Sequence, residues 1–484
     1  MLHTRKSSTG QTSHNGRGSG ALLFVLLTAQ LMVILDITAV NIALPSVAGD
    51  LGLTGSEISW TITSYSLIFG SLLLFGGRAA DLLGRRRMFL TGLGIFTASS
   101  FTSALAGTAG ALFAARAGQG LGAAMLSPAA LALIMSAFHG HQRAKALAAW
   151  GAVGGAGAAI GVLVGGVLTE FTDWRMIFYV NLPVAAALVI AALKIVPADA
   201  AKPRWQGLDL TGAVLATTSL GAIVFAITQG EGAGWTSPQT LLAGLGGLAG
   251  LAAFAIVERR TEMPLLRIER LADRAVGGGL FLMLAAAGSI FGLFLLSSMY
   301  LQNVLGMGPL STGVAFIPLA LAAGVGAHAA GHITSKHGVR GPLAAAFLIA
   351  AAGMTLLAHV GENGSYVADV LPGMLVAGFG LGIAVVSVSI AVLTGAREDE
   401  SGMISGLNST GHEIGGTLGI AIFSTIAAGS GALAGPHAAA GIAHAFVAAG
   451  LLASVASLVA LAVLPQARHF VPKLKLNPSA MPTH

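Results

Sequence analysis

The chain alternates between continuous apolar runs of roughly twenty residues and short polar breaks punctuated by glycine. Runs of that length cross a bilayer as helices. Barrel strands would show alternation of period two, and these runs do not. Fourteen spans are predicted, near 21–46, 58–76, 88–107, 110–136, 145–169, 177–196, 208–228, 240–258, 277–301, 311–331, 342–360, 367–393, 404–428 and 440–464. An even count returns both termini to one face. With that face cytoplasmic, 23 of the 25 Lys and Arg residues fall inside; Arg175 falls outside and Arg116 lies within a span. An excess of basic residues in short cytoplasmic loops is the expected pattern, here in a multi-pass protein of the cell membrane.

Composition agrees with this reading. Only 9% of the 484 residues are charged, against about 25% in soluble domains, and the mean hydropathy is +0.82. The net charge of +6 is spread in small clusters between spans. That distribution suits anionic headgroups rather than nucleic acid. Cysteine is absent, which excludes disulfides and thiolate metal sites, and no metal cluster or cofactor is expected. Residues 1–20 read as a disordered cytoplasmic tail. Arg5, Lys6 and Arg17 precede an apolar run as in a signal peptide, but the run is too long and lacks an obvious cleavage site.

The chain also repeats a loop. GRAADLLGRRR (77–87) follows the second span and GHITSKHGVR (331–340) follows the tenth. Each has Gly, a second Gly seven residues later, and Arg two beyond: Gly77, Gly84, Arg86 and Gly331, Gly338, Arg340. This spacing fits two six-helix bundles in parallel repeat with a helix pair inserted between them. The expected domains are 21–196 and 277–464 for the bundles, 197–276 for the inserted pair and its connector, and 465–484 for a cytoplasmic tail.

Candidate chemistry comes from the few ionisable residues in apolar surroundings. Asp36 interrupts VILDITAVNIALP (33–45) and Glu413 interrupts GLNSTGHEIGGTLGIAIF (406–423), beside His412. A charge at the centre of a span costs about 2.5–3.5 kcal/mol on insertion scales and marks function by default. Burial disfavours an ionised carboxylate, so such an acid can take a proton from one side and release it on the other. Asp36 can equally serve as a cap or an interior hydrogen-bond partner near Thr38 and Asn41, and His412 can simply bond to a neighbouring helix. Arg116, with Gln119 one turn along on the same face, needs an interior partner. Asp81, Gly84 and Arg85 can form an acid–base latch at a helix mouth, or a plain positive-inside loop. Gly157, Gly161 and Gly165 form a stripe, with Gly166 beside it, that lets helices pack closely or slide. Trp60, Tyr65, Gln119, Tyr300 and Asn408 are candidates to line a central cavity.

Several of these segments resemble the major facilitator superfamily, in particular its 14-helix drug:proton antiporter branch. The loop 77–87 matches the superfamily's signature loop, and LDITAVNIALP resembles the branch's first-helix motif. LFAARAGQGLGAA (112–124) fits its Arg motif, and DWRMIFYVNLP (173–183) is similar to its fifth-to-sixth-helix segment. The resemblance implies an all-α membrane protein and a proton-relay role for Arg116. It also implies that the glycine stripe is the exporter motif, with Val162 standing where Pro is usual.

The expected activity is export of hydrophobic, cationic or amphipathic compounds in exchange for protons, driven by the proton motive force and working as a monomer in the bilayer. Export of one dedicated metabolite or antibiotic is the alternative. An enzyme is not expected: no loop is long enough for a catalytic domain and no nucleotide-binding pattern occurs. A channel would need a ring of filter residues, and none is visible.

Overall fold

The computed structural model describes residues 14–53, 56–199, 203–205, 207–394, 401–429 and 438–464. All fourteen predicted spans coincide with helices, labelled in chain order. The N-terminal half comprises α1 (His14–Leu51), α2 (Ser56–Leu83), α3 (Arg85–Ala104), α4 (Ala109–Ala137), α5 (Gly140–Phe171), the single turn α6 (Met176–Tyr179) and α7 (Asn181–Ile195). A hairpin of α8 (Leu210–Ala233) and α9 (Pro238–Arg260) follows. The C-terminal half comprises α10 (Arg274–Met299), α11 (Pro309–Ala315), α12 (Ile317–His337), α13 (Arg340–Leu357), α14 (Leu371–Thr394), α15 (Ser401–Ala428) and α16 (Ala438–Val463). Helix α1 reaches back to His14, into the segment expected as tail. Residues 1–13 and the expected tail at 465–484 lie outside the described residues.

Among the described residues, twelve helical segments are long and apolar enough to cross a membrane. Helices α3 and α15 lie at the third and thirteenth predicted spans but are more polar. At 20 and 28 residues both reach the roughly 30 Å of a bilayer core. Their polarity has a location: α3 buries Ser100 and Ser103, and α15 carries Asn408, His412, Glu413 and the buried Thr417.

The two halves pack alike. In the first, α2 and α3 each lie along α4; in the second, α12 and α13 each lie along α14. Inside a membrane, where apolar burial gives little drive, small residues hold helices together by letting backbones meet. A Cβ on Gly92 of α3 would stand 2.7 Å from Gly122 O of α4, and one on Gly380 of α14 would stand 2.6 Å from Ala346 O of α13. The same close contact thus recurs in both repeats.

The halves meet along two seams, α2 with α15 and α5 with α11 and α12, and α8 packs against the α2–α15 seam. The end of the bundle away from the signature loop is bonded across the halves. There Ser298 Oγ donates to Asn41 O (3.2 Å), Gln302 Nε2 to Ile42 O (3.1 Å) and the Leu310 N–H to Glu170 (3.4 Å).

Candidate transport site

Asp36 lies at the middle of α1 and is 1% exposed. Its Oδ2 is paired with the Arg116 guanidinium from α4, and both side chains are fully buried. Its Oδ1 accepts from Gln119 Nε2 and from Asn181 Nδ2, each at 2.9 Å. Arg116 also donates to Gln119 Oε1 (2.8 Å) and to Thr61 O (3.1 Å). Gln119 donates in turn to Ser100 Oγ at 2.8 Å. Five elements therefore meet on one acid: α1, α2, α3, α4 and the start of α7.

The helical period explains this convergence. Arg116 and Gln119, three residues apart, share the inner face of α4, and Ser100 and Ser103 share that of α3. The segment 173–183 bends the chain through α6, which aims Asn181 inward. Buried ionic groups persist only when paired and hydrogen-bonded, and here both carboxylate oxygens have partners.

Tyr65 Oη and Arg116 Nη2 are among the site's polar atoms that are buried without a hydrogen-bond partner. The Arg116 guanidinium sits 4.5 Å above the Tyr65 ring and 5.7 Å from that of Phe178. Such placement stabilises a cation at a desolvated site. Tyr65 lies within electrostatic range of Asp36, Arg116 and, across the α2–α15 seam, Glu413.

Glu413 and His412 do not join this network. Glu413 faces α2, where a Cβ on Gly70 would stand 2.7 Å from its own Cβ. One carboxylate oxygen lies 3.4 Å from His412 Nδ1; the other is buried without a partner. His412 packs edge-on against Phe291, the ring centres 5.6 Å apart. The two carboxyls thus sit in different halves, with Tyr65 within electrostatic range of both.

The predicted cavity wall divides as well. Tyr65 and Gln119 belong to the Asp36 network. Tyr300 donates its hydroxyl to Gly361 O at 2.7 Å, and Asn408 donates to Ser389 Oγ at 3.1 Å, both within the C-terminal half. Trp60 packs with Leu67 and Val224 beside the inserted hairpin. Three of the five are thus engaged in packing local to their own seam or half.

The signature loop brings Asp81 and Arg85 together. The Asp81–Arg85 pair (3.1 Å) is an exposed contact within one turn and its continuation, so it does not join the two halves. Gly84, at φ 111°, makes the turn between α2 and α3 that a side chain would strain. Arg86 donates through its side chain to Leu193 O at 2.7 Å. The carboxylate that holds this loop is Asp199, just beyond α7. It accepts the backbone N–H groups of Arg86 (3.1 Å) and Arg87 (3.0 Å) and so caps α3 from a distance. Gly77 stands beside Pro128 of α4.

The glycine stripe has a clear address. Cβ atoms on Gly157 and Gly165 would stand 3.1 Å from Ile34 Cγ2 and 2.6 Å from Ala39 Cα, and one on Gly161 3.1 Å from Leu35 Cα, all on α1. Gly166, on the opposite face, abuts Pro309 O of α11 at 2.8 Å by the same construction. Helix α5 runs unbroken through Val162. Its small residues touch both the Asp36-bearing helix and the other half.

A paired charge network buried among spanning helices, in two similarly packed helical halves, defines a membrane transporter rather than an enzyme. The Major Facilitator Superfamily profile matches residues 26–209 and 207–420, and the chain belongs to that family. It is 41% identical over 412 residues to the puromycin resistance protein pur8 of Streptomyces alboniger, covering 84% of this chain and 82% of that one. It is 35% identical to the cephamycin export protein CmcT of Amycolatopsis lactamdurans, covering 89% of each chain. It is 32% identical to the lincomycin resistance protein of Streptomyces lincolnensis, covering 94% of each. These relatives bear out the resemblance to the drug-efflux branch. Among solved structures, a peptide transporter bound to alafosfalin aligns with TM-score 0.65 at 17% identity, covering 93% of this chain and 98% of that one. That likeness concerns the fold.

Proposed function

We propose that this protein exports antibiotic- or drug-like small molecules across the cell membrane in exchange for protons. The observation that carries the reading is the Asp36–Arg116 pair, fully buried and spanned by four helices and α7. A proton reaching Asp36 neutralises the acid and leaves the Arg116 charge uncompensated. Arg116 then keeps only Gln119, Thr61 and the Tyr65 face as partners, and the arrangement favoured with a charged Asp36 is no longer favoured. A ligand shifts a conformational equilibrium by its differential affinity for the two states, and here the proton is that ligand. Each inward proton contributes about 2.3 kcal/mol per 100 mV of membrane potential. Glu413, with an unmet oxygen at the seam between halves, is the second acid, suited to a cationic or amphipathic substrate or to a further proton.

In this reading α3 and α15 also cross the membrane, which makes fourteen crossings with both termini cytoplasmic. The end of the bundle that is bonded across the halves is then external. The monomer suffices, because one chain holds both acids. Export of a single antibiotic, which the names of three relatives suggest, is the alternative reading. Uptake into energised inverted vesicles tests the proposal with a panel containing puromycin, lincomycin, a cephamycin and cationic dyes. The expected result is accumulation of one or more compounds that a protonophore abolishes. Accumulation that persists with the protonophore present would remove proton coupling.

A further inference from the structure

The base of the inserted hairpin holds two acids that the transport site does not use. Asp209 caps the N-terminus of α8, its Oδ1 accepting the Gly212 N–H at 2.7 Å. Glu258, on the last turn of α9, accepts the Leu266 N–H through Oε2 at 3.1 Å. The residues are 7% and 2% exposed. Their remaining oxygens, Asp209 Oδ2 and Glu258 Oε1, are buried and lack any donor. Each lies within 2.7 Å of the point where a Cβ on Gly212 would stand. The two oxygens therefore face one another across the space that Gly212 leaves open, and the side chains are within hydrogen-bonding reach.

Ionising both of two carboxylates so placed is disfavoured, and a single proton satisfies both empty acceptors. Among the described residues, no cation pairs with either oxygen. On the surrounding elements, Arg259 lies 4.0 Å from Glu269, Arg270 pairs with Asp273, and Asp81 pairs with Arg85. Arg78 of α2 turns its Nη2 to Met263 Sδ at 3.1 Å. Arg260, Glu262, Arg267 and Arg274 are exposed. The charged group acting on Glu258 is Asp209. The N-terminus of α8 favours the negative charge on Asp209, which puts the proton on Glu258, although the pair titrates as a unit.

We propose that Asp209 and Glu258 share one bound proton, and that this proton fastens the hairpin base to the connector lying over the signature loop. The connector's Leu266 hangs from Glu258, Met263 meets Arg78, and the Arg204 N–H bonds to Leu82 O at 2.9 Å. Loss of the proton sets two like charges against each other at the point where these contacts are anchored. This second proton site stands apart from Asp36 and does not depend on the transport reading.

Infrared difference spectra of the purified full-length protein, in water and in heavy water, test it. Glu258→Gln replaces the shared proton with an amide hydrogen and keeps both hydrogen bonds. Asp209→Asn does the same from the other side and keeps the α8 cap, which covers the case of a poorly folding Glu258 variant. The expected result is one protonated-carboxyl band at neutral pH that each variant lacks. Thermal stability should fall with rising pH as the wild-type pair gives up its proton, and that dependence should be absent from the variants. Identical carboxyl spectra in wild type and variants would overturn the proposal. So would stabilisation of the wild type, but not of Glu258→Gln, by magnesium or calcium, since the pair would then be a divalent-cation site.

Discussion

Asn181, at the first turn of α7, donates its side-chain amide to Asp36 Oδ1 at 2.9 Å, reaching across 145 positions of sequence. Gln119 reaches the same oxygen at the same distance, so the acid is held from two sides by neutral donors and from a third by Arg116. A hydrogen bond to a charged group contributes about 1.5–3 kcal/mol. Asn181→Ala is expected to lower the stability of the purified protein by that order and to slow efflux. Asn181→Asp sets a second carboxylate against Asp36 and should abolish efflux. Thermal unfolding in detergent and vesicle transport, measured on the same preparations, check both.

Asp36 and Arg116 invite a test that separates folding from transport. Removing one member of a buried ion pair leaves the other uncompensated, at about 3–5 kcal/mol, whereas replacing both with apolar residues of similar volume is often neutral. Asp36→Leu is therefore expected to be strongly destabilised, and Asp36→Leu with Arg116→Met to regain most of that loss while remaining unable to transport. If the double variant transports at wild-type rate, the pair is scaffold and the coupling lies elsewhere.

Much of this was legible in the sequence for a physical reason: membrane helices announce themselves by length and apolarity, and Asp36, Arg116 and Gln119 stand out against that background. Arg116 and Gln119 also share a face by helical spacing, so their meeting could be read directly. Asn181 was missed because an amide near a helix end is common and nothing local says which way it points, although it lies inside the 173–183 motif. Asp199, Asp209 and Glu258 were missed because they sit at the edges of predicted spans, where acids are ordinary. Only tertiary packing buries Asp209 and Glu258, and only tertiary packing brings Asp199 to the N-terminus of α3. The seam that each cavity-wall candidate enters was not legible for a related reason: an aromatic or amide on a helix does not declare which of several seams it enters.

Tyr65 carries a buried hydroxyl with no hydrogen-bond partner, while its ring supports the Arg116 guanidinium. Tyr65→Phe keeps the ring and removes the orphaned group, so stability should hold or rise by up to about 1–3 kcal/mol, the desolvation cost of an unmet polar atom. Transport is the informative readout. A hydroxyl that passes protons or water between the Asp36 network and Glu413 makes Tyr65→Phe well folded but slow; a hydroxyl without that role leaves the rate unchanged.

The glycines of α5 differ in what stands opposite them. A Cβ at position 165 would meet Ala39 backbone at 2.6 Å, whereas nothing lies within 4 Å of one at position 154. Gly165→Ala must push α1 and α5 apart, an overpacking cost of about 1–3 kcal/mol, and should reduce transport because α1 carries Asp36. Gly154→Ala should be neutral or gain up to about 1 kcal/mol from helix propensity. Thermal unfolding of the two variants side by side gives the sign of each effect.

Asp199 and Asp81 make opposite predictions for two acids at the same loop. Asp81 pairs with Arg85 in the open, their side chains 55% and 38% exposed, and an exposed helical pair of this spacing contributes only about 0.3–0.5 kcal/mol. Asp199 instead supplies the cap that α3 lacks, since Gly84 offers no side chain, and loss of a cap costs about 0.5–2 kcal/mol. Asp199→Ala should therefore destabilise the protein more than Asp81→Ala. Gly84→Ala should destabilise it more than either, because its Cβ would strain the turn and also stand 2.5 Å from Asp199 Cγ. Chemical denaturation of the three variants ranks them. If Asp81→Ala proves the most damaging to stability, the loop is held by its own ion pair and not by the acid beyond α7.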